Sequence, residues 1–410
     1  MSSEAELIFQ GGALSVGADG LAIDGVSVAP LVKAHGTPLY VYGKQTFSRR
    51  LAEMRQVLAG IGRPAELRYA MKSNRFGPIL ELVRAVSREP GVPVKVDTCS
   101  PREIERAMGH GFAASELSLT AGMLSNRDLA WVAGTGVVPN LDTFSVLRRW
   151  ADTLEQRGER GERRIGLRIN PEIAVGWGQE PKLAYGNSKF GFDQARVLEA
   201  AAFAKELGLV VDEVHMHLGW GLQESAAPAL REAFGRLAGF ARAIPTVRTV
   251  NVGGGLCWKH RSEDRPLPLA TWGEIVAEAT ADLDPAVKVA CEPGTWLTAA
   301  SGILLVEVTT VEARASGTWL GVDAGHAVNV FAAHYGIPMV FIPVASPLAP
   351  ATEKVNIGGN INEANDVFGR GVAMPTVAEG EFLALFPAGG YGSSMASDHC
   401  LRGQPGEVLV

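Results

Sequence analysis

The chain has 410 residues, 47% hydrophobic and 20% charged, which is ordinary globular composition with enough length to bury a large core. Its net charge of -6, with no extended basic block, argues against nucleic acid and anionic membrane as partners. The apolar runs are too short to span a bilayer and the start, MSSEAELIFQGG, lacks the apolar core of a signal peptide, so a cytoplasmic location is expected.

Four cysteines, Cys99, Cys257, Cys291 and Cys400, lie far apart with no CxxC pair. That pattern fits reduced thiols better than a disulfide framework or a zinc site.

Residues 1 to 36 hold short alternating segments such as LAIDGVSVAPLV, broken by glycines, and read as strands and turns. From Pro38 apolar strands alternate with amphipathic helices. PLYVYG precedes a helix over Thr46 to Leu58, ELRYAMK one over Pro78 to Ser87, and VKVD one over Pro101 to Met108. SELSLT leads to Asn126–Val132, and VVPNLD to a helix around Ser145 to Gln156. RIGLRIN follows, then VDEVHMHLG with a helix over Ala226 to Ala243, and TVNVGGG and VKVACEPG close the series. Such alternation predicts parallel βαβ units. Roughly eight repeats over about 260 residues match a (β/α)8 barrel better than an open sheet.

After Trp296 the helical spacing fades, and ILLVEVTTVEA, TWLGVDAG, PMVFIPVA and FLALFPAG read as strands. The expected fold is therefore α/β: a TIM-like barrel over 37–295 and a β-rich domain made of 1–36 and 296–410. The run RGERGERR, Arg157 to Arg164, reads as a solvated loop.

Four strand ends carry candidate chemistry. Lys72 lies at the end of ELRYAMK, on the face where barrels build their sites. Desolvation there lowers a lysine pKa and makes the amine a nucleophile; a surface lysine snorkelling from an apolar stem is the alternative. Gly253, Gly254 and Gly255 follow an apolar strand, either as a phosphate-cradling loop or as a tight βα turn. Glu292, in CEPG, can hold a pyridine nitrogen protonated. His215 and His217 are two apart on a strand; with no third ligand at suitable spacing, a ring stacked on a flat cofactor suits His217 better than metal, and no metal is expected.

An amine, a glycine loop, an imidazole and an acid together describe a pyridoxal 5'-phosphate site. Here the chain resembles the fold-type III pyridoxal-phosphate decarboxylases, the diaminopimelate, ornithine and arginine decarboxylase group, which share the alanine racemase fold. The resemblance runs from about Gly36 to the C-terminus through YAMKSN, VDTCS, LRINP, SKFGF, HMHLG, VGGG, CEPG, VDAG, NEAND and GGYGSSMAS. It implies Lys72 as the lysine that binds the cofactor aldehyde, His217 as the stacking histidine, Gly253–Gly255 as the phosphate loop and Glu292 as the acid at the ring nitrogen. Asp97 and Arg168 match polar residues near the cofactor, and Tyr391 a phosphate-contacting tyrosine. Asp323, His334, Tyr335, Glu363 and Asp366 fall in motifs that serve the substrate. In relatives the segment matching Asn362–Asp366 comes from the partner subunit, so a homodimer with shared sites is expected, the β-rich domain contributing to both dimer and site.

Four departures bear on the substrate. The family's Glu-Pro-Gly-Arg ends on Thr295, and its Arg-Pro-Ala-Leu-Tyr reads Phe331-Ala-Ala-His-Tyr335. Two lost guanidinium forks argue against a free distal carboxylate. Asn362 replaces the cysteine that serves as a catalytic proton donor, and an amide is no acid. Trp220 replaces a small polar residue in the turn after His217. The resemblance thus implies α-decarboxylation of a modified amino acid, as in siderophore or other specialised biosynthesis. A plain meso-diaminopimelate or ornithine decarboxylase is the alternative. From other classes, a racemase would move the Cα proton without releasing CO2, and a non-catalytic relative would bind the cofactor without turnover.

Overall fold

The computed structural model describes residues 9, 11–158, 161, 163–177 and 188–410, so the loop expected over 157–164 lies partly outside the described residues. The chain divides into two compact units, Leu51–Cys257 with Arg265–Gly294, and Met1–Arg50 with Trp258–Asp264 and Thr295–Val410.

The first unit is a closed barrel of eight parallel strands: β1 (Ala65–Ala70), β2 (Val94–Thr98), β3 (Leu117–Thr120), β4 (Val138–Leu141), β5 (Arg164–Ile169), β6 (Val210–Met216), β7 (Thr249–Asn251) and β8 (Lys288–Cys291). Neighbours follow chain order around the ring, and β8 closes on β1 in the register Val289↔Ala65, Cys291↔Leu67. The strands are largely buried, yet they alternate apolar with polar residues, as in Val94-Lys95-Val96-Asp97 of β2. The helices between them start where caps stand in the sequence. Ser100 Oγ accepts the Glu103 N–H before Pro101–Gly109, Ser125 and Asp128 form a capping box before Asn126–Ala133, and Thr143 caps Phe144–Gln156. The last helix buries Val146, Leu147, Trp150 and Leu154, the face set by 3.6-residue spacing.

The series read from the sequence contains one strand more than the barrel uses. PLYVYG forms Leu39–Tyr42, which pairs antiparallel with Gly302–Arg314 in the second unit, in the register Ile303↔Val41. Its four residues are all buried, as in a barrel strand, so hydrophobic pattern alone does not separate the two settings.

The second unit is mostly sheet, in the order Val340–Pro343, Phe382–Phe386, Gly302–Arg314, Gly317–Val322, Glu353–Gly358, Val367–Met374. Gly406–Leu409 runs parallel to Leu39–Tyr42. Leu21 and Ile23 from the N-terminal strands join Leu39, Val41, Ile303, Leu305, Ile342 and Phe386 in one core. Among the described residues no helix is long and apolar enough to cross a membrane.

Barrel interiors are ordinarily filled by branched apolar side chains. Here the layer near the strand N-termini is ionic. The Arg68 guanidinium donates to Glu66 Oε1 at 2.6 and 2.9 Å and to both Glu213 oxygens at 2.6 and 2.8 Å. Lys95 and Lys288 reach Glu66 Oε2 at 3.0 and 3.1 Å. Asn140 Nδ2 donates to Glu213 Oε1 at 3.2 Å, and a Cβ at Gly166 would collide with Asn140 Oδ1, so a side chain there would displace Asn140 from this contact.

Removing one member of a buried ionic cluster leaves the others charged and unpaired. Arg68→Met is therefore expected to cost about 3–5 kcal/mol in urea unfolding. Burial works to raise the Glu66 pKa, but Arg68, Lys95 and Lys288 outweigh it and bring it from 4.5 to about 2. A depressed folded-state pKa means this contribution is complete above pH 4.5 and drains away as pH falls toward 2. Urea midpoints measured across that window should fall less steeply for Glu66→Gln than for the parent.

Candidate active site

Strand β1 stops at Ala70, and Lys72 sits in the short 3-10 turn Met71–Ser73 that follows. The Ala70 N–H donates to Pro293 O at 3.2 Å, which ties this turn to the end of β8. Lys72 is half-buried, and its charge acts on Asp97, Glu292, Glu103 and His217.

Glu292 follows β8 and is buried, 6% exposed. Its Oε2 faces His215 Nε2 at 3.1 Å, and its Oε1 accepts from Asn251 Nδ2 at 2.7 Å and Thr120 Oγ1 at 3.4 Å. Burial alone would raise its pKa, but His215, Lys72 and Arg68 outweigh it and hold the carboxyl well below the usual range. Asp97, on β2, goes the other way. Complete burial and the Glu292 charge push its pKa well up, with Lys72 and hydrogen bonds from Ser118 and Thr120 offsetting only part. Two carboxyls in one buried site oppose each other's ionisation, which drives Asp97 toward its protonated form while its partners hold Glu292 toward its charged form. Ser118 Oγ donates to Asp97 Oδ1 at 3.1 Å, while Asp97 Oδ2 is buried with no partner within hydrogen-bonding distance among the described residues.

His215 Nε2 faces Glu292, and His217 accepts the Gly254 N–H on Nδ1 at 3.0 Å. That bond leaves the His217 proton on Nε2. Burial, Lys72 and Arg168 push the His217 pKa well down, so the ring is neutral. Gly253 has φ +67 and a Cβ there would lie 2.6 Å from Met216 O; its N–H donates to Asn251 Oδ1 at 3.0 Å. Arg168, buried on β5, lies over the Phe190 ring at 4.2 Å and lowers the pKa of Asp142, which burial raises overall.

The first unit thus gathers Lys72, Asp97, His217, Glu292 and the Gly253–Gly255 turn around the C-terminal strand ends, with Arg168 at the end of β5. In the second unit Tyr391 takes a left-handed backbone, φ 63, and its ring stacks on Phe331 at 5.0 Å and 21°. Tyr335 packs edge-on against Phe331 at 5.4 Å and against His334 at 4.6 Å. Asn362 and Glu363 are exposed, with Glu363 3.4 Å from His399. Asp366 is buried and holds its loop, accepting the His326 N–H at 2.6 Å and the Ile361 N–H at 2.9 Å. Asp323 accepts from Thr37 Oγ1 at 2.6 Å and the Glu307 N–H at 2.8 Å. The sequence does not mark Arg68, Glu213 or Asn251: each stands in a strand with other polar residues, and the contacts that join them to one another and to Glu292 span 38 to 145 positions.

The family model for the pyridoxal-dependent decarboxylase, pyridoxal binding domain, matches residues 44–299. The diaminopimelate decarboxylase of Methanothermobacter thermautotrophicus is 27% identical over 95% of this chain and 90% of its own length. That of Escherichia coli K12 is 28% identical over 91% of this chain and 89% of its own length. The crystal structure of diaminopimelate decarboxylase from Helicobacter pylori, complexed with L-lysine, aligns with a TM-score of 0.83 at 24% identity, covering 93% of both chains, and shows the same fold.

The glycine turn is the most sterically demanding part of the site. Gly253→Ala, which forces a side chain into left-handed backbone against a carbonyl, should cost about 1–3 kcal/mol. Fluorescence titration of the apo-variant with pyridoxal phosphate should show affinity lowered by about tenfold or more.

Proposed function

The chain belongs to the fold-type III pyridoxal-phosphate-dependent decarboxylases, and on that premise we propose that it removes the α-carboxylate of an amino acid whose far end is not a free carboxylate. As a carboxy-lyase it uses pyridoxal phosphate, which when bound supplies an aldehyde for the amino group and a ring that accepts the electron pair left by CO2. The residues present fit that group. Glu292 is an anion at full burial, ready for a protonated ring nitrogen, and Asp97 Oδ2 is a buried oxygen with hydrogen-bonding capacity in reserve.

In this reading Lys72 would be the amine that holds the aldehyde until a substrate amine takes its place. Glu292 keeps a proton on the ring nitrogen through charge proximity. Neutral His217 would stack on the ring, where an imidazolium would oppose a protonated nitrogen. The backbone of Gly253–Gly255 would bind the phosphate, with Asp97 and Arg168 as polar neighbours of the ring, and the family resemblance assigns the Tyr391 hydroxyl a phosphate contact. Asp323, His334, Tyr335, Glu363 and Asp366 serve the substrate in a homodimer. Decarboxylation would be selected by residues that hold the substrate with its Cα–carboxylate bond aligned for electron loss into the cofactor. Asn362 has no acidic proton to return to Cα, so His334 or Tyr335 is the proposed donor.

The observation that carries the substrate reading is Phe331. It stands where the family has an arginine, buried at 9% exposure and stacked on Tyr391, while Thr295 replaces a second arginine and is also buried. An uncharged or acylated far end suits an aromatic stack, and a derivatised amino acid of specialised biosynthesis has that chemistry. The second reading is meso-diaminopimelate, favoured by the name of the relative that aligns over 95% of this chain.

CO2 release from meso-diaminopimelate, ornithine and acyl or citryl conjugates of diamino acids separates the two. A charge-assisted hydrogen bond contributes about 1.5–3 kcal/mol. With two forks missing, kcat/KM for meso-diaminopimelate should lie at least about 100-fold below that of the preferred conjugate. Equal or better turnover of meso-diaminopimelate would establish the second reading.

A further inference from the structure

Asn251 is the last residue of β7, fully buried, and all of its side-chain hydrogen-bonding groups are used. Nδ2 donates to Glu213 Oε1 at 2.9 Å and to Glu292 Oε1 at 2.7 Å, and Oδ1 accepts the Gly253 N–H at 3.0 Å. Its amide orientation is fixed three times over: two carboxylates admit only the donor end, and a backbone N–H admits only the acceptor end. Glu213 is itself immobilised by the two-pronged Arg68 contact and by Asn140. A continuous hydrogen-bonded column therefore runs from the ionic layer near the strand N-termini to the acid at their C-termini.

From this geometry we infer that Asn251 is a positioning residue that sets two parts of the cofactor site at once, the orientation and charge of Glu292 and the backbone of the Gly253 turn. The inference rests on the reading of Glu292 as the acid at the ring nitrogen. A carboxylate that accepts a short hydrogen bond in a dry site is a weaker base than one that does not. The Asn251 donor thus keeps the shared proton on the ring side of the Glu292 pair. The charged and titratable groups around Glu292 include Arg68, Lys72, Asp97, Cys99, Glu213, His215, His217 and Cys291. Of these Glu213 reaches it through Asn251, so the amide also separates two buried anions that would otherwise repel.

The test uses holoenzyme reconstituted with pyridoxal phosphate labelled with 15N in the ring, and needs no substrate. Asn251→Ala removes all three bonds, whereas Asn251→Asp keeps the acceptor for the Gly253 amide. In the parent the ring-nitrogen resonance should be that of the protonated form. In Asn251→Ala it should move toward the free base, and the cofactor Kd should rise about tenfold or more. Asn251→Asp should restore neither readout, because the oxygen that replaces Nδ2 faces the Glu213 and Glu292 carboxylates and cannot donate to both, although the glycine turn keeps its acceptor. A folded Asn251→Ala protein, checked by circular dichroism, with the parent's resonance and Kd would overturn the inference alone. An unprotonated ring nitrogen in the parent would overturn the Glu292 reading and the inference with it.

Discussion

Arg68 sits inside the barrel between Glu66 and Glu213, and the site above depends on the charge balance it sets. An isolated ion there would be destabilising by several kcal/mol, and only the complete set of partners makes the layer tolerable. Glu66 is satisfied by Arg68, Lys95 and Lys288, and Glu213 by Arg68 and two asparagines. With Glu213 fixed, Asn251 has one orientation, and with Asn251 fixed, Glu292 and Gly253 have theirs. A barrel packed with apolar layers holds its strands by shape alone; this one also transmits direction from one end of the strands to the other.

The upper end of the barrel shows how two like charges are kept from competing. Asp97 and Glu292 share a dry space with Lys72. His215 and Lys72 stabilise the charge on Glu292, and Asp97 is driven toward its protonated form. That division matches the chemistry of a protonated pyridine ring, which needs one firm anion at its nitrogen and neutral polar groups elsewhere. Neutral His217, fixed by the Gly254 N–H, fits the same scheme.

Much of this was legible in the sequence, because the features that carry it are local. Alternating apolar runs and capped helices give the barrel, and VGGG and CEPG mark strand ends directly. What was hidden depends on pairings distant in the chain. Arg68 and Glu213 look like outward-facing letters until the barrel closes and brings them together, 145 positions apart. Leu39–Tyr42 carries the pattern of a barrel strand and lies in the other unit, since its partner Gly302–Arg314 is set by register and not by composition. The substrate side was legible only as departures: Phe331 and Thr295 show what is missing, and the structure adds that Phe331 is stacked on Tyr391 in place of a charge.

The account stands on one amine holding an aldehyde next to a buried anion. The direct measurement is reduction of the reconstituted protein with borohydride, followed by peptide mass analysis and a visible absorption spectrum before and after. The account predicts a yellow protein that bleaches on reduction and carries a pyridoxyl adduct on Lys72. A colourless protein, or an adduct on some other lysine, would contradict it.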